Sequence, residues 1–262
     1  TFSQIKSISN QLGISEDLIK LEPTVIGGMY PSHMEDRVLL NWPEVPQVLI
    51  DTILSVEDQN FFNHFGISLK SISRAFLKNI QAGEVEQGGS TITQQLAKSL
   101  FFSSEQTIRR KVMEAIASIL IELHYSKEEI LLAYINDVFL AQSGKRAIHG
   151  FGMGAQHFFG TSISNLSTDQ IALLVGMLKG PSLYNPRRNP NNATKRRNLV
   201  LGVLNRSNKI SDSDLEALES KELGIAPPNY RTETKHPAFH DIVRLELQKN
   251  FDERELRTKG LA

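Results

Sequence analysis

Twice along this chain a serine is followed three residues later by Glu or Gln and then by an apolar run. Ser126 and Glu129 stand before ILLAYIND, and Ser167 and Gln170 stand before IALLVGML. The spacing is that of a reciprocal cap: the Ser hydroxyl takes the N–H three residues on, and the Glu or Gln reaches back. Each run therefore predicts an α-helix, not a strand. Other helix signals surround these two. Pro46 opens PQVLIDTILSV, Ser68 reads as the N-cap of LKSISRAFLKNIQ with Gly83 as its stop, and Gly88-Gly89 precede STITQQLAKSLFF. Amphipathic spacing covers 107–124, and further helices are expected over about 192–205, DSDLEALES and PAFHDIVRLELQKNF. Strand signals after residue 45 are nearly absent, while Gly-Gly and Pro within 24–40 predict a small extended or hairpin segment. The expected fold class is mainly α, with a small extended or β N-terminal piece.

Charge and cysteine content exclude several function classes. Lys plus Arg equals Asp plus Glu at 29 each, so no global field points to nucleic acid or membrane. The absence of cysteine removes thiol nucleophiles and thiolate metal sites. The seven histidines show no His-Glu-x-x-His motif, since the one pair at that spacing, His236 and His240, has Pro237 where the Glu would stand, which disfavours zinc chemistry. No apolar run approaches the roughly 20 residues that cross a bilayer. The chain begins at Thr1 with no signal-peptide pattern, so it is expected to be cut from a longer protein whose anchor lies elsewhere.

Four constellations could carry chemistry, and each also has a structural reading. Glu57-Asp58-Gln-Asn-Phe61-Phe-Asn-His64-Phe-Gly66 sets two carboxylates beside three Phe. Apolar surroundings disfavour the charged form and make a general acid or base; alternatively one carboxylate caps the next turn and His64 bonds locally. Gly88-Gly89-Ser90-Thr91 opening a helix with Gln95 and Lys98 could receive an anion or be an ordinary N-cap. Arg110 and Lys111 lie four and three residues before Glu114, a phosphate clamp or a surface ion pair. Between Pro186 and Ser207 six basic residues and no acid follow Lys179 and its Pro-rich loop, for an anionic partner or a solvated face. Gly150-Phe-Gly152-Met-Gly154 follows no predicted strand and is discounted as a nucleotide signal.

In this order the motifs resemble glycosyltransferase family 51, the peptidoglycan transglycosylase domains of class A penicillin-binding proteins. The series runs Glu-Asp-x-x-Phe-x-x-His-x-Gly, Gly-x-Ser-Thr-Ile-Thr-Gln-Gln-Leu-x-Lys, Arg-Lys-x-x-Glu, and Lys-Gly-x-Ser-x-Tyr-Asn-Pro with Arg-Arg-Asn-x-Val-Leu, from Glu57 to Leu201. The text around it is most similar to the Gram-negative bifunctional type b enzymes. The resemblance implies a lysozyme-like, two-lobed helical transglycosylase domain over 45–225. Residues 1–44 would be the end of a regulatory region and linker, and 226–262 a linker and connector helix toward a transpeptidase domain absent here.

The resemblance also implies roles. Glu57 would be the general base, deprotonating the 4-hydroxyl of lipid II so that it displaces undecaprenyl pyrophosphate from the growing glycan-lipid chain with inversion. Glu114 would be the second catalytic acid, orienting cations or a divalent metal (Mg or Mn), with no nucleotide cofactor. Lys98, Arg110, Lys111 and Lys179 would neutralise the leaving diphosphate, Ser90, Thr91 and Gln95 would line the donor site, and Phe61, His64 and Asp58 would shape and support the pocket. Part of the apolar set of Phe61, Phe62, Phe65, Ile67, Leu69, Ile72, Phe76, Leu77 and Leu100-Phe101-Phe102 should dip into lipid headgroups and the rest be core, placing the domain on the periplasmic side of a bacterial inner membrane. Protein activators and the transpeptidase domain are expected partners, nucleic acid is not. Ala141, where the family usually has Gly, and Gln156-His157-Phe158 depart from the pattern in the scaffold. A lysozyme-like hydrolase and an anionic-lipid scaffold are the competing readings, the first weakened by the density of cations.

Overall fold

Eight α-helices form among the described residues, which in this computed structural model are 35–68, 89–102, 107–144 and 146–227. They are α1 (Gln47–Glu57), α2 (Ile92–Phe101), α3 (Ile108–His124), α4 (Lys127–Asp137), α5 (Gly150–Phe159), α6 (Thr168–Met177), α7 (Pro190–Arg206) and α8 (Asp212–Glu219). The chain divides into two units, Ser32–Asn229 and a second made of Thr1–Pro31 with Tyr230–Ala262; the second lies outside the described residues. So do the helices predicted from Ser68 to Gly83 and over PAFHDIVRLELQKNF.

Both sequence-predicted reciprocal caps form. Ser126 N–H donates to Glu129 Oε2 at 2.8 Å, and Ser167 N–H donates to Gln170 Oε1 at 3.0 Å. The same device opens α2, where Thr91 Oγ1 accepts from Gln94 N–H at 3.1 Å and Gln94 Oε1 accepts Thr91 N–H at 3.0 Å. Each satisfies donors that a helix start would otherwise leave unpaired.

The expectation that strand structure ends near residue 45 is corrected. β1 (Glu35–Arg37) runs parallel to β3 (Arg146–His149), and β3 pairs antiparallel with β2 (Phe139–Ser143), in the order β1-β3-β2. The strands escaped sequence reading because they are short and because an irregularity between Phe139 and Ala141 breaks the alternation, burying Leu140 and Ala141 in succession. β3 also overturns the premise that no strand precedes Gly150. The glycines there serve packing: Gly150 sits at φ +74°, and a Cβ on Gly152 would come 2.5 Å from the Val38 carbonyl oxygen. Helix α5 thus lies close against the segment leading out of β1.

The main core gathers Leu49 and Ile53 of α1, Phe61, Ile92 of α2, Leu131 and Ile135 of α4, Phe151 and Phe158 of α5, and Leu174 of α6. α1 packs on α6 and α7, while α2 packs on α3 and α4. A second cluster, Ala172, Val200, Leu201 and Leu204, seals α7 onto α6. These two helix groups supply the opposite walls of the site.

Candidate active site

Glu57 is the last residue of α1, whose apolar stripe of Leu49, Ile50 and Ile53 is buried and fixes the rotation of the helix. Asp58 ends the helix at φ −156° and turns the chain into the Phe61–Asn63 turn. Glu57 Oε2 accepts from Gln95 Nε2 of α2 at 3.0 Å. Burial holds the Glu57 carboxyl above the usual carboxylate range. The Gln95 hydrogen bond and the Arg196 charge oppose that shift, Asp58 adds to it, and Lys179 opposes it further. A carboxyl with this balance is suited to accepting a proton near neutral pH.

Glu57 opens onto a cleft of about 1250 Å³. Its wall carries seven cations: Lys98, Arg110, Lys111, Lys179, Arg196, Arg206 and Lys209. Among the described residues three carboxylates share that wall, Asp51, Glu57 and Glu114, so the described lining carries four more cationic than anionic side chains in a chain of net charge zero. Low-dielectric walls lined by one sign of charge focus the field on whatever anion enters.

Glu114 is fully buried on α3 and its two oxygens are both engaged. Oε1 lies 2.8 Å from Arg110 Nε, and Oε2 accepts from Lys111 Nζ at 2.9 Å. Lys111 Nζ also donates to Ser90 Oγ at 2.7 Å, across from the start of α2. The carboxylate therefore fixes two cations on the cleft wall, and the surface-ion-pair reading of this motif gives way to a buried one.

Of the residues expected from the sequence, the structure gathers Glu57, Ser90, Gln95, Lys98, Arg110, Lys111, Glu114 and Lys179 around one cleft. Asp58, Phe61, His64 and Thr91 do not line it. Asp58 Oδ2 takes His64 Nε2 at 2.8 Å and the Ile92 N–H at 3.1 Å; Thr91 Oγ1 donates to the Gly66 carbonyl at 2.6 Å. Phe61 is 1% exposed, with Lys127 Nζ 4.4 Å from its ring centroid. These four hold the loop behind Glu57 and not the cleft face.

Sequence reasoning passed over Arg196, Arg206, Lys209 and Tyr134 as site residues. The first two sat inside the basic run, whose members the structure separates by role. Arg196 faces the cleft, whereas Arg197 is 1% exposed and donates to the Lys221 and Glu219 carbonyls at 2.7 and 2.9 Å. Tyr134 gave no signal, because a lone Tyr in ILLAYIND reads as core.

Several large apolar side chains are exposed on α2, on α3 and in the turn after α1. Phe62, Phe65, Leu100 and Phe101 are exposed, as are Ile108, Val112, Met113, Ile116, Leu120 and Leu123 along α3, with Ile108 at 87%. No helix among the described residues is long and apolar enough to cross a membrane.

The family model for transglycosylases matches residues 23–205. Penicillin-binding protein 1B of Haemophilus influenzae is 43% identical over 255 residues, covering 94% of this chain and 32% of that protein. Penicillin-binding protein 1B of Escherichia coli is 43% identical over 242 residues, covering 92% of this chain and 29% of that protein. The chain spans about a third of the length of these relatives. A crystal structure of penicillin-binding protein 1A from Haemophilus influenzae overlaps 87% of this chain and 23% of its own at a TM-score of 0.47 and 20% identity, a loose likeness only. A match over most of the chain, on a helical body whose cleft collects the matched motifs, shows that the chain belongs to the transglycosylase family.

Proposed function

We propose that this chain is a peptidoglycan glycosyltransferase that polymerises lipid II into β-1,4 glycan strands. The observation that supports it most is the pairing of one carboxyl, Glu57, which desolvation holds above the usual carboxylate range, with seven cations lining the same cleft. A glycosidase needs no such wall, because its leaving group carries no diphosphate.

In this reading Glu57 takes the proton from the acceptor 4-hydroxyl. The oxygen forms the new bond to the donor's anomeric carbon, and the carbon–oxygen bond to the diphosphate breaks with its electron pair leaving on undecaprenyl pyrophosphate. Lys98, Arg110, Lys111 and Lys179 offset the charge that develops there. Glu114 does not fit a metal centre, since both its oxygens already face cations. Among the described residues no group of three or more His, Cys, Asp or Glu converges on one point. A divalent cation (Mg or Mn) would accompany the diphosphate of the substrate, whose charge it would share with the lysines and arginines of the wall.

The exposed apolar stretch of α3 and the Phe62–Phe65 loop supports a position against the outer face of the bacterial inner membrane, where the lipid tails of donor and acceptor remain. A transpeptidase domain and protein activators are proposed partners by analogy with the longer relatives. Residues 45–225 would carry the transferase, 1–44 the end of a regulatory region, and 226–262 the connector. The test is incubation with fluorescent lipid II in detergent, with and without divalent cation, resolved on a gel. A polymer ladder absent in Glu57→Gln and abolished by moenomycin supports the reading; a folded chain that neither binds nor polymerises lipid II overturns it.

A further inference from the structure

The hydrogen-bond chain behind Glu57 extends one residue beyond the side chain that touches it. Tyr134 of α4 donates from its hydroxyl to Gln95 Oε1 at 3.1 Å, and Gln95 Nε2 donates to Glu57 Oε2 at 3.0 Å. A Gln side-chain amide has two ends of nearly equal size, and rotation by half a turn exchanges a donor for an acceptor. Turned one way, Gln95 stabilises the Glu57 carboxylate; turned the other, its oxygen faces that carboxylate and favours the protonated form. Whatever decides between the two orientations decides how readily Glu57 serves as a base.

We propose that Tyr134 is a positioning residue for the reaction, which through its hydroxyl holds the Gln95 amide with its N–H toward Glu57. This inference rests on the reading of Glu57 as the general base.

Three observations support it. Tyr134 is 3% exposed, so water does not compete for its hydroxyl. α4 enters through the Ser126–Glu129 cap and buries Ile130, Leu131 and Ile135 beside Tyr134, which leaves the ring little freedom to withdraw. Burial, reinforced by the charge of Glu57, pushes the Tyr134 hydroxyl well above the usual phenol range, so it keeps its proton and remains a donor wherever the enzyme works. The charged groups that face Glu57 from the other elements are Arg196 on α7, Lys179 after α6 and neighbouring Asp58. Among the described residues the Gln95 amide is hydrogen-bonded by Glu57 and Tyr134, and not by these three. A pure packing role for Tyr134 would require its ring, not its oxygen.

The experiment measures kcat and KM against pH, on fluorescent lipid II, for the full chain, for Tyr134→Phe, for Gln95→Met and for the double variant. Tyr134→Phe is expected to move the acid limb to higher pH and to lower kcat by about three- to ten-fold, with KM within about two-fold. In the Gln95→Met background Tyr134→Phe is expected to add nothing, because its effect passes through that amide. An unmoved acid limb, or an undiminished shift in the Gln95→Met background, overturns the proposal. If thermal melting shows that Tyr134→Phe is not folded, 3-fluorotyrosine at position 134 keeps the volume and strengthens the donor. Its acid limb should then move to lower pH, and a limb that stays put overturns the proposal. Glu57→Gln is assayed in parallel: if it still polymerises, the base assignment itself falls, which is a different result from an inert Glu57→Gln beside an unaltered Tyr134→Phe.

Discussion

Asp58 accepts the backbone N–H of Ile92 at 3.1 Å, tying the residue after Glu57 to the first turn of the helix that carries Gln95. The same oxygen takes His64 Nε2 at 2.8 Å, so α1, the following turn and α2 meet on one carboxylate. Two adjacent acids thus divide the labour. Asp58 is used up in holding the loop, and Glu57 is left with one hydrogen bond from Gln95 and an open side toward the cleft.

That division makes the active carboxyl a cost to the fold. Because burial raises the Glu57 pKa, the folded chain binds a proton that the unfolded chain has released across the window between the ordinary value and the raised one. Stability from this group is therefore fully present below that window and declines as pH rises through it. Glu57→Gln should abolish polymerisation while melting at an equal or higher temperature than the parent at neutral pH, with the difference vanishing at low pH. Calorimetry at several pH values checks it; a melting temperature below the parent's at neutral pH would contradict it.

Glu114→Gln tests the cation clamp. Removing the charge leaves Arg110 and Lys111 facing a neutral group and frees Lys111 from its place over Ser90. We expect a loss of about 1–3 kcal/mol in stability, discounted for the half-exposed lysine. Turnover should drop far more than that, seen as a lower kcat/KM on lipid II in a sample whose melting curve is still cooperative.

The neighbouring arginines of α7 should separate by phenotype. Arg197→Lys leaves two carbonyls at the end of α8 short of their donor and should lower stability by about 2 kcal/mol, with kcat nearly unchanged. Arg196→Lys keeps a charge but loses the Nε bond to the Gly176 carbonyl at 3.1 Å, and should lower kcat with a smaller change in melting temperature. Urea melts and initial rates on the two variants decide it, and matching phenotypes would remove the distinction.

Gly152→Ala should be among the more destabilising small substitutions in the chain. Its Cβ would lie 2.5 Å from the Val38 carbonyl oxygen, so α5 or the segment after β1 must shift, at a cost of about 1–3 kcal/mol. The melting temperature should fall while activity survives at low temperature; a melting temperature equal to the parent's would show that the approach is not required.

Serines at Val112 and Ile116 should reveal what the exposed face of α3 does. Both side chains are exposed, so the melting temperature should hardly move. Polymerisation of lipid II embedded in anionic vesicles should fall several-fold, while the detergent assay stays near the parent rate. Equal loss in both assays would assign the face to the fold.

What the sequence determined by itself was everything that depends on neighbours along the chain. The helix starts at Ser126 and Ser167 follow from hydroxyl and carboxylate groups three residues apart, and the pairing of Arg110 and Lys111 with Glu114 follows from the turn of one helix. The order of the motifs named the family before any contact was known. Only the tertiary structure could show that Asp58 is spent on Ile92, that Arg196 lines the cleft while Arg197 holds the end of α8, and that Tyr134 stands behind Gln95. The short strands Phe139–Ser143 and Arg146–His149 were likewise decided late, because their residues have no period of their own and are extended only by pairing with each other and with Glu35–Arg37. The physical reason is common to these cases. Hydrogen bonds between residues 34 or 39 positions apart depend on which helix faces meet, and that is settled by burying the apolar stripes of α1, α2 and α4 together, not by any local preference.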